Sequence, residues 1–254
     1  MNRWVMGVEY DGTHFCGWQQ QPGLRTVEAS LAEAISLVAY HPVELVCGGR
    51  TDAGVHAAGQ VVHFDASAQR SARAWVLGTN GHLDRSLSVS WAHPVADFFH
   101  ARFSATRRHY RYTIFNRSAR SALHAGRSLW VQAPLEVARM QEGGRALLGE
   151  HDFSAFRAAE CQSKSPIRRV DHLEVSREGE LVHIDVAANA FLHHMVRNIA
   201  GLLIEVGRGA RSPADVKTLL EGRDRRRNAP TANPEGLCLR RIDYPAAFGL
   251  PVPV

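Results

Sequence analysis

The decapeptide Gly48-Gly49-Arg50-Thr51-Asp52-Ala53-Gly54-Val55-His56-Ala57 constrains this chain more than any other segment. It interrupts two strand-like runs, residues 43–47 and 60–64, so the chain must leave one strand and turn before it enters the next. Glycines allow positive φ and close approach of a backbone to a ligand. Asp52 sits among them with Arg50 two residues before it. An aspartate there serves either as a turn residue bonding its own backbone or as an ionised nucleophile or base held by nearby cations. The loop alone leaves both uses open, and turn chemistry is the commoner.

The flanking pattern alternates strands with helices. Residues 4–10 read as a strand ended by Asp11-Gly12. Thr26 is placed as the N-cap of a helix carrying Val27, Leu31, Ala34, Ile35 and Val38 at helical spacing. Ser71 caps a second helix through Leu83, and residues 87–93 return as a strand. In the second half, residues 110–116 read as a strand with Tyr110, Tyr112 and Ile114 on one face. Residues 135–148 have helical spacing, and residues 168–176 and 181–187 form a hairpin. Residues 191–207 carry the clearest helical stripe, with His193, His194 and Arg197 close together on its surface and Gly201 open to a neighbouring backbone. A shorter helix over 213–220 and a strand over 236–244 close the chain. The expected class is α+β, with two domains, 1–104 and 105–254, each a helix pair on an antiparallel sheet. Residues 98–105 join the halves.

All but two of the 30 basic residues are arginine, and the net charge is +5. The balance favours an acidic partner such as nucleic acid, although a GC-rich genome accounts for much of the arginine excess. The run 223–227, with four arginines around Asp224, suits a phosphate contact and a solvated loop equally. Four scattered cysteines give neither a zinc pattern nor a disulfide framework, so no metal is expected. No secretory segment and no apolar run of membrane-spanning length is read, which leads us to expect a cytoplasmic chain without a membrane partner.

Segments far apart share a loop-and-aromatic character. Phe15 and Trp18, in Tyr10 to Gln19, either stack bases or plug the core. Arg107 to Tyr112 interleaves cations with aromatics on a strand. The motifs Y-D-G-T-x-F-x-G-W-Q, G-G-R-T-D-A-G-V-H, R-H-Y-R-Y, F-L-H-H-M-V-R-N and A-P-T-A-N-P-E-G-L-C-L, in that order from Tyr10 onward, resemble the TruA family of tRNA pseudouridine synthases. Only Asn233 and Cys238 depart from the pattern, in a segment that otherwise matches.

The resemblance implies two RRM-like (ferredoxin-like) domains whose antiparallel sheets join around a central cleft. It implies isomerisation of uridine to pseudouridine in the anticodon stem-loop of tRNA, at positions 38 to 40. Asp52 would be the nucleophile, and Arg50 would take the place of the extruded base. Tyr110 would stack on the uracil and help remove the C5 proton. Arg197 would pair with Asp52, and Leu237 would pack against the target base. Extrusion costs about a few kcal/mol, which an arginine filling the stack offsets. The reaction transfers no electrons, so no cofactor is implied, and the family's usual homodimer is expected. A non-catalytic RNA-binding or RNA-folding module on the same scaffold is the alternative.

Overall fold

The computed structural model describes residues 1–251, which divide into two compact units. The first, Met1–Arg108, holds β1 (Asn2–Tyr10), α1 (Val27–Ala39), β2 (Val46–Cys47), β3 (His56–Ala66), α2 (Ala72–His82) and β4 (Leu87–Val95). The second, His109–Leu237, holds β5 (Arg107–Asn116), β6 (Leu129–Val131), α3 (Val137–Arg145), β7 (Gly149–Asp152), β8 (Ile167–Glu178), β9 (Leu181–Ala188), α4 (Met195–Gly207) and α5 (Ala214–Gly222). The last strand, β10 (Leu237–Asp243), takes the chain back to the first unit from Cys238 onward. A linear division at residue 104 does not contain this return, which rests on parallel pairing of Cys238 with His56 and Leu239 with Ala57. The class is α+β, with most strand pairs antiparallel.

In the first unit the strand order is β4-β1-β3-β10, with β2 on β3. Both helices start where a hydroxyl accepts an orphan amide. Thr26 Oγ1 takes the N–H of Ala29 at 3.4 Å, and Ser71 Oγ that of Ala74 at 3.2 Å. Trp75 of α2 packs between Trp4 of β1 and Phe64 of β3, at ring separations of 5.9 and 5.2 Å. Leu31 and Ile35 of α1 are fully buried. The segment expected to join the halves is instead part of this core. Its Phe99 is wholly buried against Tyr244, Phe248 and His63.

Strand β2 is shorter than the apolar run 43–47 suggests. The Val43 amide goes to Ser36 Oγ of α1 at 2.9 Å rather than into the ladder. Strand β3 is longer than 60–64, because β1 reaches back to pair Tyr10 with Ala57. Small residues there carry no strand signal of their own.

His63 lies in β3, 5% exposed, and its Nδ1 accepts the Ala101 amide at 3.1 Å, which requires an unprotonated nitrogen. Burial, then the Arg3 and His100 charges, lower its pKa from 6.5 to about 4. The unfolded chain therefore binds a proton that the folded chain refuses. The stabilisation is complete above about pH 6.5 and drains as pH falls toward about 4. We expect His63→Gln to remove on the order of 2 kcal/mol of stability loss between pH 7 and pH 4.5, read by urea unfolding at both values. An identical pH dependence in the variant would assign the loss elsewhere.

The second unit has the order β5-β9-β8-β7, with β6 parallel to β5. The hairpin β8–β9 turns at Gly179, where φ is +59°. Helix α3 covers β8 and packs on α4 and α5, closing over Met140, Phe153, Phe156 and Ile199. It is shorter than 135–148, because the Leu135 amide is held by Asn116 Oδ1 at 3.2 Å. Helix α4 begins at Met195, not at residue 191. His194 precedes it with φ of +61°, a left-handed conformation that no α-helix continues. His193 and His194 therefore stand before the helix rather than within it, with rings 4.0 Å apart.

Candidate active site

The loop between β2 and β3 is held by backbone bonds along its length. Gly48 N–H reaches Val61 O at 2.8 Å, and Val55 N–H reaches Asp52 O at 3.1 Å. The segment 12–18 clasps it from outside, through Trp18 N–H to Thr51 O (2.9 Å) and Gly54 N–H to Phe15 O (3.3 Å). Gly17, at φ of +87°, makes this possible, since a Cβ there would press on Thr51 O and Ala53 N at 3.0 and 3.1 Å. Phe15 and Trp18 are buried, so they plug this core rather than offering faces to bases.

Side chains add a second layer. The Gln60 carboxamide accepts from Gly49 N–H at 3.3 Å and donates to Gly49 O at 2.5 Å. Tyr10 Oη lies 2.8 Å from Thr51 Oγ1, and Gln60 Nε2 donates to Tyr10 Oη at 3.4 Å. His56 Nδ1 accepts from Gly12 N–H at 3.0 Å, tying the outer segment to β3. Arg108 caps Gly48 O through Nη2 at 2.9 Å. The result is a loop with a fixed backbone, an exposed Arg50 and a half-buried Asp52. Such an arrangement presents a carboxylate and a guanidinium from one rigid turn.

The second unit carries Tyr110, Arg197 and Leu237. Tyr110 on β5 is buried, edge-on to Phe191 at 5.1 Å. Arg197, in the first turn of α4, exchanges bonds with Ala232: its Nε donates to Ala232 O at 2.8 Å, and Ala232 N–H donates to Arg197 O at 3.2 Å. Leu237 is buried at the head of β10. Tyr112 donates its hydroxyl to Asn233 O at 2.7 Å, and burial raises its pKa, so it stays a phenol. Arg111 grips Asp185 of β9 with both Nε and Nη2, at 2.8 and 2.9 Å. That arginine serves the sheet.

The arginine run is also engaged internally. Arg225 donates to Ala229 O, Asn198 Oδ1 and Thr231 Oγ1, at 3.1, 3.0 and 2.9 Å. Arg226 pairs with Asp224, and Arg223 lies 3.4 Å from Asp152. Asn198, fully buried, also donates to Phe156 O at 2.7 Å. Gln60, Tyr10, Asn198 and Arg225 act as supports that neither motif nor spacing marks as such. The available signal for Gln60 and Asn198 was a lone amide inside an apolar run.

Comparison with known proteins fits this layout. A family model described as tRNA pseudouridine synthase matches residues 6–104 and 145–245. The chain belongs to the tRNA pseudouridine synthase family. Arg50, Asp52, Arg197 and Leu237 fall within the matched stretches, and Tyr110 falls between them. The chain is 53% identical over 249 residues to tRNA pseudouridine synthase A of Nitrosococcus oceani, covering 98% of this chain and 96% of the relative. It is 54% identical to the proteins of that name from Methylococcus capsulatus and Vibrio cholerae, over 98% of this chain and 92% and 94% of theirs. A solved structure of a Cbf5-Nop10-Gar1 complex overlaps with a TM-score of 0.36 at 14% identity, over 79% of this chain and 45% of that one. No helix among the described residues is long and apolar enough to cross a membrane.

Proposed function

We propose that this chain isomerises uridine to pseudouridine in the anticodon stem-loop of tRNA, at positions 38 to 40. The observation that carries the reading is near full-length identity of 53–54% to proteins named tRNA pseudouridine synthase A. The rigid Arg50–Asp52 turn supports it chemically. The N-glycosidic bond to uracil N1 breaks, the base rotates, and a bond forms from C1′ to C5. The C5 proton leaves to solvent and N1 gains one, so the product is an isomer.

In this reading Asp52 is the nucleophile or base at the reacting nucleotide. Arg50 fills the gap that the flipped base leaves in the stem. Tyr110 stacks on the uracil and assists loss of the C5 proton. Arg197 keeps Asp52 ionised away from water, and Leu237 packs on the base. A homodimer in the cytoplasm belongs to the same proposal, and light scattering that returned a single-chain mass would remove the dimer.

The test is tritium release from tRNA labelled at uridine C5. Release is expected from tRNA whose labelled uridines are confined to positions 38 to 40, and not from one labelled only elsewhere. Tight binding without release would turn the reading to a non-catalytic RNA-binding module.

A further inference from the structure

The structure assigns Gln60 a positioning role: its buried carboxamide, acting with the Tyr10 hydroxyl, sets where Arg50 and Asp52 point. The inference rests on the isomerase reading for its functional consequence. Gln60 is wholly buried at a β3 position followed by Val61 and Val62, where an aliphatic side chain would be ordinary. A buried amide is costly unless its groups are bonded. Here Oε1 takes the amides of Gly49 and Val61 at 3.3 and 3.2 Å, and Nε2 serves Gly49 O and Tyr10 Oη at 2.5 and 3.4 Å.

Two of these bonds fall on one glycine. The N–H of Gly49 belongs to the peptide plane before it, and its C=O to the plane after it. One rigid amide group therefore fixes both planes around the residue with the freest dihedrals in the loop. The Tyr10 hydroxyl, held by Gln60 Nε2, reaches Thr51 Oγ1 at 2.8 Å. Residues 49 and 51 are thus pinned by one network, and Arg50 between them is forced outward while Asp52 follows directly. Gln60 touches no reacting atom in this scheme. It acts through the loop.

The experiment compares Gln60→Met, Tyr10→Phe and the double variant with the full-length chain, using C5-tritiated tRNA for turnover and filter binding for affinity. Methionine keeps the volume and removes every bond. Misplacement of reacting groups by an ångström costs about a hundredfold, so kcat for Gln60→Met is expected to fall about 30- to 100-fold while tRNA Kd stays within about twofold. The double variant should lose less than the product of the single losses, because the two side chains share one network. Ile35→Ala, a cavity under α1, supplies a stability control of lower Tm with kcat within about twofold of wild type. Turnover of Gln60→Met within about threefold of wild type, or an equal loss in the control, would overturn the assignment. If the wild-type chain releases no tritium, the isomerase reading fails by itself. Amide exchange at Gly49 then decides the positioning role: about tenfold faster exchange in Gln60→Met upholds it, and unchanged exchange overturns it.

Discussion

Asp52→Ala is expected to reduce tritium release by more than about a thousandfold while tRNA affinity stays within a few-fold. The reason is geometric as well as chemical. The loop around Asp52 is closed by backbone bonds from Trp18, Gly54 and Val55, and by side-chain bonds to residues 49 and 51. These bonds run through backbone groups and the side chains of residues 10, 51 and 60, so the loop is expected to stand in Asp52→Ala. Arg50 would still be exposed, free to take the role proposed for it in the RNA stack. Binding and chemistry are then separated in one variant. Equal release by Asp52→Ala and wild type would keep the enzyme class and remove Asp52 from its role. A parallel collapse of affinity would point to a structural task for the carboxylate.

Gly201→Ala is expected to cost about 2–4 kcal/mol, with Tm lower by roughly 4–16 °C in a chain of this size. A Cβ at that position would lie 2.1 Å from Pro230 O, a backbone atom that cannot rotate away. The segment beside it is also tied down. Ala232 is bonded to Arg197, and Thr231 Oγ1 donates to Asn198 Oδ1 at 2.7 Å. Relief of the clash must therefore break bonds or shift α4. Activity should fall with stability, because the displaced segment leads to Leu237. Gly81→Ala is the control: nothing lies near its Cβ, and α2 gains helix propensity of up to about 1 kcal/mol. Thermal unfolding of the two variants in one buffer checks both signs. A Gly201→Ala chain as stable as wild type would show that the segment yields more easily than its bonds imply.

Much of this was legible from residues alone, because local chemistry decides it. Thr26 and Ser71 cap their helices through bonds three residues away. The β8–β9 hairpin follows from a glycine at positive φ between two alternating runs. The glycine-flanked Asp52 turn and the five ordered motifs point to the family from the residues alone. Gly201 in the helical stripe marks a place for close approach, and Pro230 O fills that place.

Other features depend on partners distant in sequence. Strand β3 begins early only because β1 returns to meet it, and β10 joins the first unit only by pairing with residues 56 and 57. The helical stripe through residue 191 predicts four residues too many, since side-chain periodicity does not report the left-handed turn at His194. The arginine run looks alike in sequence at every position. Arg225 is nonetheless engaged by Asn198 and Thr231, whereas Arg226 is engaged by its neighbour Asp224. The sequence by itself determined caps, turns, periodicity and the motifs that mark the family, all short-range properties. The tertiary structure alone decided where strands end, which amides hold the Asp52 loop and which arginines serve the fold, because each depends on a hydrogen-bond partner that folding brings near.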